Sequence, residues 1–308
     1  MAVPGKCIVI CGPTACGKTR IGVSLASRYG GEIISADSRQ VYRSLDIGSG
    51  KDLDEYVVEG KTIPYHCIDI AEPSEVFTLY HYLAEFNRSC NAVIRKGSVP
   101  IIVGGTGLYI EAALKQYDVP HAPENQALRE KLMALDRDEL LSLLSKEKDL
   151  YDKTDLSSTK RIVRSLEIAA DRASGVTHHS DREELLPFES LVIGIMYPRE
   201  ELHQRIYSRL MSRLQSGMID EVERLIAFIP RERILMFGME YSHIAEYLWG
   251  NCTYEEMVES LFQSIRHLAK RQMTWFRGMD RRGIPVHWID RGDFDQIEAL
   301  VEPFFRNK

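Results

Sequence analysis

Eight residues near the start of the chain, Gly12-Pro13-Thr14-Ala15-Cys16-Gly17-Lys18-Thr19, restrict its possible folds more than any other feature. The apolar run Cys7-Ile8-Val9-Ile10 precedes them, and a helix-compatible stretch from Arg20 to Tyr29 follows. A glycine-framed turn between a buried strand and a helix is a phosphate cradle. Glycine lets successive backbone N–H groups point inward, the helix adds its positive N-terminal end, Lys18 supplies a mobile cation, and the Thr19 hydroxyl can ligate Mg²⁺. The octapeptide therefore predicts a ligand carrying a di- or triphosphate. The same cradle serves kinases, switches, motors and transferases, so the ligand group is specified and the chemistry is left open.

The rhythm of the first third supports a parallel sheet with crossover helices. Short apolar runs at Cys7 to Ile10, Glu32 to Ser35, Ile68-Asp69-Ile70 and Val99 to Val103 alternate with helical patterns after Lys18 and through Tyr80 to Lys96. Near Asp118 that rhythm stops. Up to about Pro187 the chain is charged and leucine-periodic, with Leu128, Leu132, Leu135, Leu140, Leu141 and Leu144 at helical spacing. The strand signature returns at Leu191 to Ile195, and Glu200 to Phe228 reads as one or two helices. A final helix is expected over about Tyr254 to Arg277, followed by an apolar segment from Val286 to Asp290. The expected fold is thus α/β, a P-loop NTPase-like parallel sheet flanked by helices. Its catalytic core is discontinuous (1–117 and 188–308), with a helical insertion over 118–187.

Composition narrows the remaining classes. A chain of 308 residues with 44% hydrophobic content can bury a substantial core. No run approaches the roughly 18 apolar residues that a bilayer span requires, and the apolar start leads straight into the cradle, unlike a cleavable signal. A cytoplasmic protein with no membrane partner is expected. The six cysteines show no CxxC pairing, which disfavours a zinc site or a disulfide framework. A net charge of −6 argues against indiscriminate coating of nucleic acid, yet two local basic clusters stand out. One is Lys160-Arg161 with Arg164. The other comprises Arg266, Lys270, Arg271, Arg277, Arg281 and Arg282, and each suits either a solvated helix face or phosphate contacts. Arg205, Arg209 and Arg213 recur every four residues and form a slowly drifting stripe that can face an anion.

Asp37 lies just beyond the second apolar run, at the carboxyl end of an expected parallel strand, where open α/β sheets bind ligands. In a kinase such an acid takes a hydroxyl proton or holds metal; in a transferase it takes a proton from an amine; as a structural residue it caps a helix.

Further motifs in order decide among these chemistries. They are Asp37-Ser38-Arg39-Gln40-Val41-Tyr42-Arg43 with Leu45-Asp46-Ile47-Gly48, His66-Cys67-Ile68-Asp69, Gly104-Gly105-Thr106-Gly107-Leu108-Tyr109, Arg161 to Glu167, Arg205-Ile206 with Arg209 and Gly217, and Leu268 to Trp275. Together with the cradle they span nearly the whole chain, and their order resembles the tRNA dimethylallyltransferases. The resemblance implies that residues Gly12, Pro13, Thr14, Ala15, Cys16, Gly17, Lys18 and Thr19 hold the diphosphate of dimethylallyl diphosphate with Mg²⁺ at Thr19. It implies Asp37 as the base that accepts an N6 proton, Thr106 beside the diphosphate and the reacting adenine, and Arg209 on the departing diphosphate. It also implies that Asp37, Ser38, Arg39, Gln40 and Thr106 contact the target nucleotide, while Arg129 and the run Lys160, Arg161, Ile162, Val163, Arg164 touch the tRNA anticodon arm. The acceptor would be the adenosine just 3′ of the anticodon, and the enzyme a monomer.

The chain departs from the family pattern in four places. Gly48-Ser49-Gly50-Lys51-Asp52 stands where Gly-Thr-Ala-Lys-Pro is usual, Tyr65-His66 where a histidine pair is usual, and Lys160 in place of glutamine. Phe237-Gly238-Met239-Glu240 stands where Gly-Tyr and a basic residue usually form a tRNA-contacting loop. Acid in place of base there predicts weaker anticodon-arm binding or a shifted set of tRNAs. Two other readings stay open at this level: prenyl transfer to free adenine nucleotide, and a non-catalytic tRNA- or nucleotide-binding paralogue.

Overall fold

Strand β1 (Gly5–Cys11) is buried from Cys7 onward because it runs through the middle of a parallel sheet with both faces covered. The computed structural model describes residues 5–175 and 182–306. After β1 come α1 (Lys18–Tyr29), β2 (Gly31–Ser35), the short β3 (Val57–Val58), β4 (Lys61–Thr62) and β5 (Tyr65–His66), then α2 (Leu79–Arg95), β6 (Val99–Gly104) and α3 (Gly107–Lys115). Four helices follow: α4 (Gln126–Met133), α5 (Arg137–Leu144), α6 (Lys148–Lys153) and α7 (Thr159–Ala173). The chain continues through β7 (Phe188–Met196), α8 (Arg199–Gln215), α9 (Met218–Ile226), α10 (Arg231–Ile234), α11 (Met239–Leu248), α12 (Tyr254–Met279), β8 (His287–Asp290) and α13 (Phe294–Arg306).

Six strands form one sheet in the order β5-β2-β6-β1-β7-β8, every neighbouring pair parallel. Ile8 is in register with Ile101 on one side and Leu191 on the other. The strand order places β6 between β1 and β2, so the carboxyl ends of β1, β2 and β6 open side by side onto one edge of the sheet. Ligands of open α/β sheets bind at such an edge. One apolar cluster packs Ile8, Ile10, Ile33, Ile101 and Ile193 against α1 and α13. A second joins α8, α9, α11 and α12 through Ile206, Leu210, Val222, Tyr241, Leu261 and Ile265.

The chain divides into two compact units, 1–117 with 182–308, and 118–181. In the second unit Leu132, Leu140, Leu144, Ile162, Val163 and Leu166 form the core, so the leucine spacing does mark one buried face. Asn125 caps α4, and Asp136 with Glu139 forms a capping box on α5. Residues 182–187 lie with the sheet-bearing unit, because Asn87 and Asn91 donate to the Glu183 and Glu184 carbonyls and Asn91 accepts from the Leu186 amide.

The segment around Ile68 and the C-terminal part differ from their sequence expectation. Ile68-Asp69-Ile70 is no strand: Cys67 and Asp69 adopt positive φ, and the strand forms one step earlier at Tyr65–His66. The Glu200–Phe228 pattern, expected as one or two helices, is two, broken at Gly217, which sits at φ 96°. The C-terminal part also holds α11 and α13, the latter amphipathic and packed through Ile297 and Val301. Among the described residues no helix is long and apolar enough to cross a membrane.

Candidate active site

The phosphate loop leaves β1 at Gly12, whose φ of 148° suits glycine and whose α-carbon lies so close to β7 that a Cβ would fall 2.7 Å from the Ile195 carbonyl oxygen. Ala15 turns left-handed at φ 62° before α1 begins at Lys18. Lys18 Nζ donates to the Pro13 carbonyl at 2.6 Å and lies 3.8 Å from Cys16 Sγ. The Thr14 amide donates to Gln272 Oε1 at 2.8 Å, and Gln272 Nε2 donates to the Gly105 carbonyl at 3.0 Å. One side chain of α12 thus ties the loop after β1 to the turn after β6.

The same edge carries Asp37, beyond the end of β2. Its Oδ1 accepts the Arg39 amide at 2.9 Å, a local turn rather than a helix cap. Thr106 Oγ1 accepts the Ser38 amide at 3.1 Å, and the Thr106 amide donates to the Ala36 carbonyl at 3.1 Å. Gln40 accepts from Ser35 Oγ at 2.7 Å and donates to the Gly50 carbonyl at 2.9 Å. Arg39 donates to the Met236 carbonyl at 2.7 Å. These groups surround a cavity of about 1030 Å³. Its wall includes Thr14 to Arg20, Asp37 to Gln40, Asp52, Gly104 to Leu108, Arg205, Arg209, Arg213, Glu240, Arg271 and Trp275.

The arginine stripe enters this cavity because α8 buries Leu202, Ile206, Leu210 and Leu214 in the adjacent stripe and so fixes its rotation. Arg205 Nε donates to the Ala15 carbonyl at 2.9 Å. Arg209 Nη1 lies 3.4 Å from Thr14 Oγ1, and both Arg209 and Arg213 donate to Asp52. Burial, then the neighbouring Arg213, lower the pKa of Arg209, while Asp52 and Glu240 pull it up. Burial likewise pushes the Glu240 carboxyl up, against the pull of Arg213, Arg39 and Arg209. Glu240 therefore belongs to the arginine cluster of the cavity.

The structure brings together on this wall Thr14 to Thr19, Asp37, Ser38, Arg39, Gln40, Thr106 and Arg209, while Gly12 and Pro13 form the buried neck of the loop. The other predicted residues lie in the second unit. Arg129 pairs there with Glu124 at 2.9 Å and with the fully buried Glu167 at 2.7 Å, and Arg164 donates to the Ala122 carbonyl. Arg161 pairs with Asp155, and Lys160 is exposed. Ile162 and Val163 are a correction to the expected contact surface: both side chains are core residues of that unit, turned in by the helical period of α7. Sequence reasoning gave no role to Asp52, Gln272 or the pairing of Arg213. Gln272 lay inside a motif already singled out, and Asp52 was visible as a departure from the family pattern.

The IPP transferase family model matches residues 40–279, and an isopentenyl transferase model matches residues 5–66. The chain is 46% identical over 304 residues to tRNA dimethylallyltransferase 1 of Porphyromonas gingivalis, covering 97% of this chain and 99% of that protein. Among solved structures it is similar to the full-length tRNA isopentenylpyrophosphate transferase of Bacillus halodurans, with a TM-score of 0.70 and 32% identity over 98% of this chain and 95% of that one. A eukaryotic dimethylallyltransferase acting on tRNA shares the fold, with a TM-score of 0.78 at 24% identity over 99% and 80% of the two chains. With the family model covering most of its length and relatives matched nearly end to end, the chain belongs to the IPP transferase family.

Proposed function

We propose that this chain transfers the dimethylallyl group of dimethylallyl diphosphate to N6 of the adenosine 3′-adjacent to the tRNA anticodon, releasing diphosphate. The observation that carries this reading is the convergence on one cavity of a phosphate loop, an arginine stripe and the Asp37 carboxylate. An allylic C–O bond ionises readily once the departing diphosphate is neutralised. Backbone N–H groups of the loop, Lys18 and Arg209 are assigned that task, and losing one such contact costs about 10²- to 10³-fold in rate. N6 forms its bond to the allylic carbon as the C–O bond breaks. Its lone pair is delocalised into the ring, so the proton becomes strongly acidic only as the new bond forms, and Asp37 then accepts it. Thr106 is assigned to the junction of diphosphate and adenine.

A divalent ion fits this donor set. The Thr19 hydroxyl stands on the cavity wall, and among the described residues no cluster of His, Cys, Asp or Glu builds a closed cage. Hard-oxygen coordination shared between one protein hydroxyl, substrate oxygens and water is the arrangement Mg²⁺ favours. When bound, Mg²⁺ supplies charge neutralisation to the diphosphate.

The adenosine must leave its stack to reach Asp37, at a cost of a few kcal/mol that RNA contacts have to offset. Ser38, Arg39 and Gln40 are assigned to the extruded nucleotide. Arg129, Lys160, Arg161 and Arg164 are assigned to the anticodon arm. The chain is assigned to act as a monomer, with cytoplasmic tRNA as the expected acceptor. Incubating the purified protein with labelled dimethylallyl diphosphate, Mg²⁺ and either bulk tRNA or AMP tests the reading. Label in tRNA and not in AMP is expected; label in AMP alone, or in neither, overturns it.

A further inference from the structure

Asp52 places a single carboxylate oxygen between two guanidinium groups: Oδ2 accepts from Arg209 Nη2 at 3.1 Å and from Arg213 Nη2 at 2.9 Å. Both arginines and Asp52 line the cavity that holds the phosphate loop, and Arg209 also reaches toward Thr14 of that loop. We infer that Asp52 is an internal counter-anion: it holds Arg209 and Arg213 while the cavity is free, and an incoming diphosphate displaces it. The inference rests on the diphosphate reading of the cavity.

Guanidinium donors recognise carboxylate and phosphate oxygens through the same forked geometry, so the two anions compete for the same N–H groups. Diphosphate carries more charge than one carboxylate and adds contacts to the loop amides and Lys18, so it wins the exchange. Asp52 then retakes the arginines when diphosphate departs. The arrangement weakens the hold on the product and keeps two cations, four residues apart on α8, from repelling each other in the free enzyme.

The local structure presents Asp52 for this role. Lys51, 2% exposed, donates to the Tyr42 carbonyl at 2.8 Å and to Asp46 at 2.7 Å, and it pairs with Asp69, which anchors the loop from beneath. Gly50, at φ 71°, lacks the Cβ that would stand 2.2 Å from Arg213 Nη2 and 2.5 Å from Arg209 Nη2. Asp52 itself turns left-handed at φ 38°, which aims its carboxylate at both arginines. Asn and Gly tolerate that backbone, so Asp52→Asn and Asp52→Gly remove the charge and leave the turn.

Titration calorimetry with inorganic diphosphate, in metal-free buffer and again with Mg²⁺, tests the inference on the full chain. In metal-free buffer Asp52→Asn and Asp52→Gly are expected to bind diphosphate about fivefold tighter than the parent, as releasing a partly exposed ion pair allows. In a background lacking both arginines (Arg209→Ala with Arg213→Ala) the gain from Asp52→Asn should shrink to under about twofold, which a merely structural effect on the loop would not do. Equal or weaker metal-free affinity in both Asp52 variants overturns the inference. Unchanged metal-free affinity with weaker binding in Mg²⁺ also overturns it and makes Asp52 a metal ligand. If the parent itself fails to bind diphosphate, the reading of the cavity falls and takes this inference with it.

Discussion

Thr106 Oγ1 accepts the Ser38 backbone amide at 3.1 Å, which ties the turn after β6 to the turn after β2 and fixes Asp37 beside both. The Asp37 carboxylate is also steadied by the Arg39 amide. It is therefore held at the cavity wall before any substrate arrives. Asp37→Ala is expected to lower transfer to tRNA by 10²-fold or more, as loss of a positioned base does. Affinity for tRNA, measured by filter binding, should stay within about twofold, since phosphate contacts dominate it. Turnover close to that of the parent would remove Asp37 from the base role.

Gln272 bridges Thr14 and Gly105, so its loss frees two turns that carry opposite sides of the reacting centre. Gln272→Ala should lower kcat by about ten- to hundredfold, as a small misplacement of reacting groups does. Gln272→Glu keeps the acceptor for Thr14 and loses the donor to Gly105, and should fall between. Single-turnover kinetics with saturating tRNA would show this order; a change confined to KM for tRNA would count against it.

Glu221, 3% exposed, accepts from the Ile47 amide at 2.6 Å, the Gly48 amide at 3.1 Å and the Tyr241 hydroxyl at 2.8 Å. Burial, with Glu221 next to it, raises the pKa of Tyr241 and keeps that hydroxyl a donor. Glu221→Ala strands three donors, two of them buried, and should cost about 2–4 kcal/mol, whereas Tyr241→Phe removes one partner and should cost about 1 kcal/mol. Denaturant unfolding gives both values, and equal costs would contradict this account of the loop.

Glu240 titrates with a sign opposite to most carboxylates. Burial raises its folded-state pKa above the ordinary 4.5, so the folded protein holds this proton more tightly than the unfolded chain. Its contribution to stability is complete below pH 4.5 and is lost as pH rises through the folded-state value. Glu240→Gln removes that dependence. Melting temperatures of the two proteins, followed from about pH 4 to about pH 8, should diverge in favour of the variant as pH rises. A pH-independent difference would show that Glu240 keeps its ordinary titration.

Much of the sheet could be read along the chain, because a strand covered on both faces must be a continuous apolar run, as Cys7 to Ile10 and Leu191 to Ile195 are. The segment around Ile68 misled because the same composition suits a buried loop, and only the positive φ of Cys67 and Asp69 distinguishes the two. Asp37, Thr106 and the phosphate loop were legible through local motifs at strand ends. Ile162 and Val163 were placed with the basic residues beside them in sequence, yet the period of α7 turns the two kinds of side chain to different faces.

From the sequence alone came the cradle, the parallel α/β core and the family resemblance, since each is written in short-range spacing of glycine, apolar and charged residues. Tertiary structure alone decided that Gln272 braces the loop, that Asp52 sits between Arg209 and Arg213, and that Glu240 joins the same cluster. The Gln272 and Asp52 contacts join residues more than a hundred positions apart. Chain spacing carries no record of such distances; packing of α8, α11 and α12 onto the sheet edge creates them.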